Sequence, residues 1–359
     1  MPITTRAAVV ESGGAPFTLS EVTLDDPGPH EVLVRLVATG LCHTDLGVAS
    51  GGLPFPLPGV LGHEGAGVVE AVGAAVSGVA PGDHVVLSFT SCGDCRNCRG
   101  GHPAYCATWL PLNLIGGCRA DGTGTISRDG TRLGGHFFGQ SSFAERALVD
   151  ERSLVKVDPE VPLTSIAPLG CGVQTGVGAV WNVLKPETGD TVVVLGAGAV
   201  GLSAVMAAAL TPATTVVAVD RVPERLELAR ELGATHTLDT VAGLADFTAD
   251  GIVETTGSTA VLRQGVDALA ARGTLVVVGA PPFGTEVALD VNGLLAGKRI
   301  VGLTLGDAET RTFIPALVRL VKEGRLPLHR LISTYPFADI ERAARDMREG
   351  KAVKPVLEF

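Results

Sequence analysis

The sequence predicts a two-domain α/β protein with one doubly wound parallel sheet and a separate β-rich region. Its 359 residues exceed an ordinary domain of ~100–200 residues, so two domains are expected. Between positions 191 and 303, short apolar strands alternate with helical stretches, which is typical of a parallel sheet buried on both faces. In the first third of the chain, β-branched runs are separated by Gly and Pro.

The predicted elements follow from these periodicities. In the parallel-sheet region we predict strands at 191–195, 215–219, 251–254, 274–278 and 299–303, with helices at 200–210, 223–232 and 258–270. In the β-rich region we predict strands at 6–10, 31–38, 65–72 and 84–89. Two further helices are expected near the C-terminus, at 313–323 and 339–349.

Composition excludes several classes of protein. A formal charge of −10 is a poor match for nucleic acid or an anionic membrane surface. The uncharged stretch at 191–219 is long enough for a membrane span, but three glycines and Pro212 interrupt it and no basic cluster flanks it. The N-terminus lacks a secretory pattern, so we expect a cytoplasmic protein with reduced thiols.

A glycine-rich motif indicates dinucleotide binding. The pattern G-x-G-x-x-G occupies 196–201, directly after a predicted strand and at the start of a helix. Gly196, Gly198 and Gly201 would permit the tight turn, the approach of the pyrophosphate and close helix packing. Asp220 ends the next strand about 20 residues further on, where it would bind the ribose and repel a 2′-phosphate. This Rossmann pattern favours NAD over NADP, although Arg221 weakens the preference. The alternative to dinucleotide binding is a glycine-rich turn that serves only to pack the helix against the sheet.

Four closely spaced cysteines predict a structural zinc site. Cys92, Cys95, Cys98 and Cys106 lie in an irregular segment, and four thiolates fill every tetrahedral position of zinc. An iron–sulfur cluster would favour other spacings, and four free buried thiols are the remaining alternative. A second, dispersed set contains Cys42, His63 and Cys171, whose composition and spacing leave a metal site and ordinary core residues equally open. Two thiolates and one imidazole would leave a coordination position open on zinc.

The chain resembles the zinc-dependent alcohol dehydrogenases of the medium-chain dehydrogenase/reductase superfamily. The resemblance runs nearly end to end, from the Cys-His-Thr-Asp segment at 42–45, through Gly-His-Glu at 62–64 and the four-cysteine segment, to Lys-Pro-Val-Leu at 354–357. A narrower resemblance to bacterial aryl-alcohol dehydrogenases is carried by 42–45 and by the Phe-Phe-Gly-Gln-Ser-Ser-Phe segment at 137–143. The resemblance to the superfamily implies a GroES-like catalytic domain at 1–173 with a zinc lobe at about 91–118. It also implies a Rossmann domain at 174–304 and a return of the chain to the catalytic domain at 305–359.

The resemblance assigns a role to individual residues. It implies that Cys42, His63 and Cys171 hold a catalytic zinc, so that two zinc ions are expected per chain. Asp45 would accept from the other nitrogen of His63, Glu64 would lie behind the metal, and Thr44 would take the alcohol proton. The implied cofactor-binding residues are His43, Thr175, Gly196, Gly198, Val200, Gly201, Asp220, Arg225 and Lys354. The alternatives to these cofactor-binding roles are a solvated Lys354, a surface Arg225 and a Thr175 that caps a helix.

The implied reaction is the reversible oxidation of a primary alcohol to an aldehyde with hydride transfer to NAD. Aromatic residues concentrate between 89 and 143, so an aromatic or allylic alcohol is expected. The implied pocket residues are Leu53, Phe89, Phe137, Ala280 and Thr304. Gly47 occupies a position where many relatives carry a relay histidine, so proton release is expected to end elsewhere. The alternatives are a glutathione-dependent formaldehyde dehydrogenase, for which a cationic site is missing, and a non-catalytic protein that binds zinc and NAD.

Self-association is also expected. The family pairs the last strand of each cofactor-binding sheet across a two-fold axis, and 299–303 would be that edge strand. An apolar edge strand is a liability unless it is covered. The resemblance therefore implies a homodimer or homotetramer, with a small alcohol or aldehyde as the other partner.

Overall fold

The computed structural model describes residues 3–359 and divides the chain into two compact units. One unit comprises the chain to Cys171 together with Glu309–Phe359, and the other is Gly172–Ala308. The boundaries therefore fall two residues before and four residues after the predicted positions of 173 and 304. The last segment, Glu309–Phe359, belongs to the first unit.

The first unit, which we call the catalytic unit after the role that the resemblance implies, contains two sheets. The strands up to the cysteine segment are β1 (Ile3–Val10), β2 (Phe17–Leu24), β3 (Glu31–Gly40), β4 (Gly59–Val60), β5 (Gly65–Val72) and β6 (His84–Leu87). They are followed by β7 (Ile126–Arg128), β8 (Thr131–Arg132), β9 (Arg146–Asp150) and β10 (Leu154–Lys156). The helices of this part are α1 (His43–Ala49), α2 (Arg96–Arg99) and α3 (Leu163–Ile166).

The second unit, called the dinucleotide unit, has a single parallel sheet. Its strands are β11 (Thr191–Leu195), β12 (Thr215–Val219), β13 (His236–Leu238), β14 (Ala249–Glu254), β15 (Leu269–Val277) and β16 (Arg299–Gly302). Its helices are α4 (Gly172–Gly178), α5 (Ala199–Ala209), α6 (Pro223–Glu231), α7 (Thr259–Ala268) and α8 (Val291–Leu294). The strand order is β13-β12-β11-β14-β15-β16, and the register is parallel throughout.

The C-terminal segment completes the catalytic unit with α9 (Thr310–Lys322), β17 (Ile332–Pro336), α10 (Ile340–Arg348) and β18 (Lys354–Glu358). Strand β18 pairs antiparallel with β3 and parallel with β17. The larger sheet of this unit therefore has the order β10-β6-β5-β3-β18-β17, with β9 also paired to β3. The smaller sheet has the order β4-β1-β2-β7-β8.

The apolar core of the dinucleotide unit explains why its strands and helices form where they do. In the dinucleotide unit, Val193, Leu195, Val217 and Ile252 are among the fully buried side chains of adjacent parallel strands, which confirms the continuous apolar pattern as that of a sheet covered on both faces. Helix α5 is apolar on nearly every side and is buried along most of its length, as its composition requires.

Among residues 3–359, no single helix is long and apolar enough to cross a membrane. One bent pair of helices, Leu163–Gly170 with Gly172–Leu184, meets the length and composition of a span and nothing more.

Candidate functional site

The dispersed residues Cys42, His63, Glu64 and Cys171 come together in the catalytic unit. Their ligand atoms all lie within 4.8 Å of one another, and the site is largely buried. Cys42 precedes α1, His63 and Glu64 precede β5, and Cys171 ends the first of the two segments that form the unit. Three segments that are distant in sequence therefore supply one cluster of metal-binding side chains.

Asp45 organises this cluster through three hydrogen bonds. Its carboxylate accepts from the backbone N–H of Cys42 at 2.9 Å, from the N–H of Gly62 at 3.0 Å, and from Nδ1 of His63 at 3.0 Å. The carboxylate is fully buried. In the neutral imidazole that a metal ligand requires, Nδ1 would carry the proton that Asp45 accepts and the lone pair would be on Nε2, which has no hydrogen-bond partner in the described structure.

The donor set fits zinc. Two sulfurs and a buried imidazole nitrogen are ligands that zinc prefers, and three protein ligands leave one position open. A hydrogen bond from Cys171 lowers the pKa of the Cys42 thiol well below its usual range, against the effect of burial. Burial alone would lower the pKa of His63, but Asp45 and the Cys42 thiolate outweigh it and raise that pKa to about 10. A negative charge at Cys42 favours a cation at this point.

Glu64 lies beside the cluster in a buried ion pair. Lys354 Nζ lies 2.9 Å from both carboxylate oxygens of Glu64 and 3.2 Å from the carbonyl oxygen of Leu41. Burial raises the pKa of the Glu64 carboxyl, and the ammonium of Lys354 opposes that shift. The ammonium of Lys354, for which a cofactor-binding role was predicted, is thus bound to Glu64 here.

Thr44 and His43 occupy the first turn of α1, next to Cys42. The hydroxyl oxygen of Thr44 lies 3.8 Å from Sγ of Cys42, and His43 is exposed. Gly47 lies one turn further along the helix. A Cβ atom on Gly47 would come within 3.0 Å of Cδ1 of Leu53, so Leu53 fills the space into which a side chain at position 47 would project.

Aromatic rings enclose His63. Phe138 stacks on the imidazole with ring centroids 4.4 Å apart, and Phe137 meets it edge-on at 5.4 Å. Phe55 and Trp109 extend this aromatic wall by edge contacts to Phe137 at 5.1 Å and to Phe138 at 5.5 Å. The structure therefore brings the predicted pocket residue Phe137 to the imidazole of His63 and adds Phe138, Phe55 and Trp109 to this aromatic wall.

Other predicted pocket residues do not share these contacts. Phe89 is buried in the catalytic unit, whereas Ala280 is exposed and Thr304 is half-buried in the dinucleotide unit. Gln140 was not among the predicted residues, yet its Nε2 donates to the carbonyl oxygens of His63 at 3.0 Å and of Ser88 at 2.9 Å. The only sequence signal for Gln140 was its place in the segment at 137–143 that carries the resemblance.

The second cysteine cluster has the arrangement of a closed metal site. Sγ atoms of Cys92, Cys95, Cys98 and Cys106 lie within 4.8 Å of one another, and all four are free of disulfides. Backbone N–H groups of Cys92, Cys95 and Ala107 donate to sulfurs of the cluster at 3.3–3.4 Å. Four sulfurs, three of which receive these N–H donors, fit a tetrahedral zinc ion with no place for a substrate.

The dinucleotide unit contains the predicted turn in the predicted setting. Strand β11 ends at Leu195, the glycine-rich turn follows, and Gly198 is the N-cap of α5 without a side-chain cap. A Cβ atom on Gly198 would meet nothing within 4 Å, whereas one on Gly201 would come within 1.8 Å of the carbonyl oxygen of Gly196. The turn is therefore open at Gly198, and the uncapped helix N-terminus offers N–H groups that fit a pyrophosphate.

The adenosine end of the predicted cofactor site is equally well defined. Asp220 follows β12 and accepts from the N–H of Ala197 at 2.7 Å and of Val222 at 2.9 Å. Arg225 Nη1 lies 3.8 Å from the Asp220 carboxylate, while its Nε is buried without a hydrogen-bond partner in the described structure. Thr175 is buried in α4, and Val200 lies in the first turn of α5. These groups fit the phosphates and ribose of a dinucleotide.

Comparison with known proteins agrees with both units. The family model "Alcohol dehydrogenase GroES-like domain" matches residues 28–159, and "Zinc-binding dehydrogenase" matches residues 199–323. The geraniol dehydrogenase of Castellaniella defragrans is 41% identical over 99% of this chain and 98% of its own length. The crystal structure of benzyl alcohol dehydrogenase from Acinetobacter calcoaceticus has a TM-score of 0.95 at 45% identity, covering 99% of each chain. The structure of an alcohol dehydrogenase zinc-binding domain protein from Burkholderia ambifaria has a TM-score of 0.97 at 50% identity over the full length of both chains.

Proposed function

Since the chain belongs to the zinc-dependent alcohol dehydrogenases of the medium-chain dehydrogenase/reductase superfamily, we propose that it oxidises an aromatic or allylic primary alcohol with NAD. The observation that carries the choice of substrate is the aromatic wall around His63, formed by Phe55, Trp109, Phe137 and Phe138. Flat apolar walls favour flat ligands, because edge and stacked ring contacts add ~0.5–1.5 kcal/mol per pair beyond the buried area. The benzyl alcohol and geraniol dehydrogenases among its relatives are consistent with this choice.

The roles of the residues follow from their contacts. Cys42, His63 and Cys171 would hold the catalytic zinc, and Asp45 orients His63 so that Nε2 is available as a ligand. When bound, the metal supplies a Lewis acid for the alcohol oxygen, and the nicotinamide supplies the hydride acceptor. The hydroxyl of Thr44, beside Cys42, would accept the proton that the alcohol loses and release its own to water, since Gly47 supplies no relay group.

A second zinc ion is proposed for the four-cysteine cluster. N–H groups directed at its sulfurs stabilise thiolates, and four thiolates saturate the metal. This site would stabilise the irregular lobe and take no part in hydride transfer. Because both clusters need reduced thiols, the proposed location is the cytoplasm.

The preference for NAD over NADP rests on Asp220. Its carboxylate lies beside the glycine-rich turn, where it would accept from the ribose hydroxyls and repel a 2′-phosphate. Arg225 lies close enough to moderate that repulsion, and the exposed Arg221 is adjacent in sequence. We therefore propose a preference rather than absolute selectivity for NAD.

The test is a matrix of specificity constants for two cofactors and four substrates. Zinc-replete protein is assayed with NAD or NADP and with benzyl alcohol, geraniol, ethanol or S-(hydroxymethyl)glutathione. The proposal expects kcat/KM to be highest for benzyl alcohol or geraniol with NAD. A higher value for ethanol would reject the substrate class, and a higher value for S-(hydroxymethyl)glutathione would favour the glutathione-dependent alternative. Absence of turnover in protein that binds both zinc and NADH would indicate a non-catalytic function.

Self-association through β16 is a further part of the proposal. This strand lies at the edge of the parallel sheet, and Ile300 on it is partly exposed. The same unit exposes Phe283, Val291 and Leu295 at 69%, 72% and 79%, respectively. An edge strand with an exposed apolar side chain is a liability unless it is covered, and a second copy of the chain pairing through β16 would cover it. The exposed apolar side chains elsewhere in the unit are further surface that such a partner would bury.

Light scattering after size exclusion tests this association. Leu295→Asp is expected to shift the protein toward a monomer, because it places a charge within the apolar surface. Leu110→Asp is the matched control, since Leu110 is also exposed but belongs to the catalytic unit. A wild-type protein that is monomeric at micromolar concentration would reject the proposal.

A further inference from the structure

Thr255 lies directly against the glycine-rich turn of the dinucleotide unit. It is the first residue after β14, which pairs with β11 so that Glu254 is opposite Leu195. Its hydroxyl lies 2.8 Å from the carbonyl oxygen of Leu195 and 3.1 Å from that of Gly196. Its backbone N–H also donates to the Leu195 carbonyl at 2.9 Å. The side chain and the backbone of Thr255 thus both engage the end of β11.

The Gly196–Ala197 peptide is held at both ends. Its carbonyl oxygen, on Gly196, accepts from the Thr255 hydroxyl, and its N–H, on Ala197, donates to the Asp220 carboxylate at 2.7 Å. The Thr255 hydroxyl has a single hydrogen, and this hydrogen is shared between the carbonyl oxygens of Leu195 and Gly196. Two contacts on opposite edges of one rigid peptide plane fix the rotation of that plane.

This peptide sets the direction in which the chain enters the turn. Gly196 has a φ of 95°, which only glycine adopts readily, and a Cβ atom there would come within 2.5 Å of the Thr255 hydroxyl. On the other side, α5 packs so closely that a Cβ atom on Gly201 would touch the same carbonyl oxygen. The Gly196 carbonyl is therefore enclosed between the hydroxyl of Thr255 and the first turn of α5.

Thr255 is in turn fixed by the loop that follows β14. The buried carboxylate of Glu254 accepts from the N–H of Thr256 at 2.7 Å and from that of Gly257 at 3.1 Å. The Thr256 hydroxyl also donates to this carboxylate and accepts from the N–H of Ser258, the N-cap of α7. The loop that carries Thr255 is thus held by a hydrogen-bond network centred on the buried carboxylate of Glu254.

We propose that Thr255 is a positioning residue for the dinucleotide: with Asp220 it clamps the Gly196–Ala197 peptide so that the turn is preorganised for the pyrophosphate. This inference rests on the proposed dinucleotide-dependent function. Thr255 does not itself touch the cofactor in this proposal. A turn that is already ordered binds its ligand more tightly, because less conformational freedom is lost on binding.

The decisive variant is Thr255→Val, which keeps the shape of the side chain and removes the hydroxyl. The loss of one hydrogen bond to the turn is expected to raise the Kd for NADH about 3–10-fold, with a similar rise for ADP-ribose, which retains the pyrophosphate. The KM for NAD rises by the same factor, while the KM for benzyl alcohol stays unchanged. Thr255→Ser restores the hydroxyl and is expected to bind NADH within about twofold of wild type.

Thr235→Val is the matched control. The Thr235 hydroxyl also donates to a backbone carbonyl of the parallel sheet, that of Val216 at 3.1 Å, and it accepts from the N–H of Val216 at 2.9 Å; these bonds lie at the start of β12, away from the turn. Loss of that hydroxyl is expected to lower thermal stability at least as much as loss of the Thr255 hydroxyl and to leave the Kd for NADH unchanged. If Thr235→Val weakens NADH binding as much as Thr255→Val does, or if Thr255→Val binds as wild type, the positioning role is rejected.

A second measurement needs no variant. In the wild-type protein without cofactor, the Ala197 amide is expected to exchange slowly with deuterium, because it is bonded to Asp220 in a fixed peptide. Exchange at the rate of an unprotected amide would reject the clamp, whatever the variants do.

The outcomes also separate this inference from the proposed function. If wild type binds NADPH in preference to NADH, the cofactor assignment fails, but the clamp is still tested with NADPH, which carries the same pyrophosphate. If wild type binds neither dinucleotide, the proposed function fails and the exchange measurement alone decides the clamp.

Discussion

Lys354 and Glu64 form a buried ion pair in which the ammonium lies 2.9 Å from both carboxylate oxygens, with the two side chains 3% and 0% exposed. Lys354 begins the last strand, β18, while Glu64 immediately precedes β5. The pair therefore joins the C-terminal segment to the metal-binding cluster within the catalytic unit. An isolated buried charge is costly, so each of the two residues depends on the other.

Lys354→Met is expected to lower the free energy of unfolding by about 3–5 kcal/mol, because it leaves the Glu64 carboxylate buried and unpaired. Urea denaturation measures the change. The double variant Glu64→Leu with Lys354→Met should recover most of the loss, since an apolar pair removes both charges. The exposed pair of Lys351 with Glu349 supplies the control, and Lys351→Met should have little effect. Equal effects of Lys354→Met and Lys351→Met would contradict this account.

The sequence predicted local features well because their signals are local. The parallel strands at 191–195 and 215–219 have the predicted bounds, since both are continuous apolar runs. Strand β15 begins at Leu269, five residues before the predicted start. The sequence Leu-Ala-Ala-Arg at 269–272 favours a helix, but pairing of Leu269 with Ala249 on β14 overrides that preference.

The features that escaped prediction depend on contacts between distant segments. Strands β17 and β18 were not predicted. Strand β17 pairs with β18, and β18 pairs with β3, so these strands depend on contact between the two ends of the chain. The wall around His63 likewise depends on Phe138, and Gln140 reaches the His63 backbone across a separation of 77 residues. The four-cysteine cluster, by contrast, was predictable from spacing, since its members lie within one short segment.

Cys98→Ser is expected to reduce the zinc content from two ions to one per chain and to lower the melting temperature, because one thiolate of a saturated site is lost. NADH binding and initial turnover of freshly prepared protein should persist. Cys42→Ser should have the opposite profile, with turnover lost and the melting temperature less affected. Metal analysis and thermal unfolding distinguish the two. A Cys98→Ser protein that is stable yet inactive would show that the roles of the two clusters are reversed.

Phe137→Leu is expected to lower the ratio of kcat/KM for benzyl alcohol to that for ethanol by about 3–10-fold, because it removes a ring from the wall around His63. Phe17→Leu is the matched control. Phe17 forms a similar edge contact, with Phe143 at 5.6 Å, and has no ring contact with His63 in the described structure. Both variants should lose stability, but only Phe137→Leu should change the substrate preference. An unchanged ratio would place the substrate elsewhere than on this wall.

His136 should make stability depend on pH. Burial lowers the pKa of its imidazole below the ordinary value of 6.5. The carboxylates of Glu31 and Asp150 oppose this shift, and the guanidinium of Arg119 adds a smaller lowering. The ring is buried, and Nδ1 has no hydrogen-bond partner among the described residues. The folded protein therefore keeps this imidazole neutral at pH values where the unfolded chain already binds a proton.

The direction of the effect follows from that difference. The contribution of a neutral His136 is fully present above pH 6.5, and it is lost as the pH falls below 6.5 toward the lower pKa of the folded state. One proton changes the free energy of unfolding by at most about 1.4 kcal/mol per pH unit. His136→Asn removes the titration and suits the left-handed backbone at this position, where φ is 61°.

Urea denaturation at pH 7.5 and pH 5.5 measures the effect of His136→Asn. The variant should lose less stability than wild type between these two values, because it has no imidazole that must stay neutral. His329→Asn, which replaces an exposed histidine of the same unit, should follow the wild-type slope and thereby account for any loss of zinc at acid pH. If His136→Asn and His329→Asn lose equal stability on acidification, the buried imidazole of His136 is not the cause of the acid sensitivity.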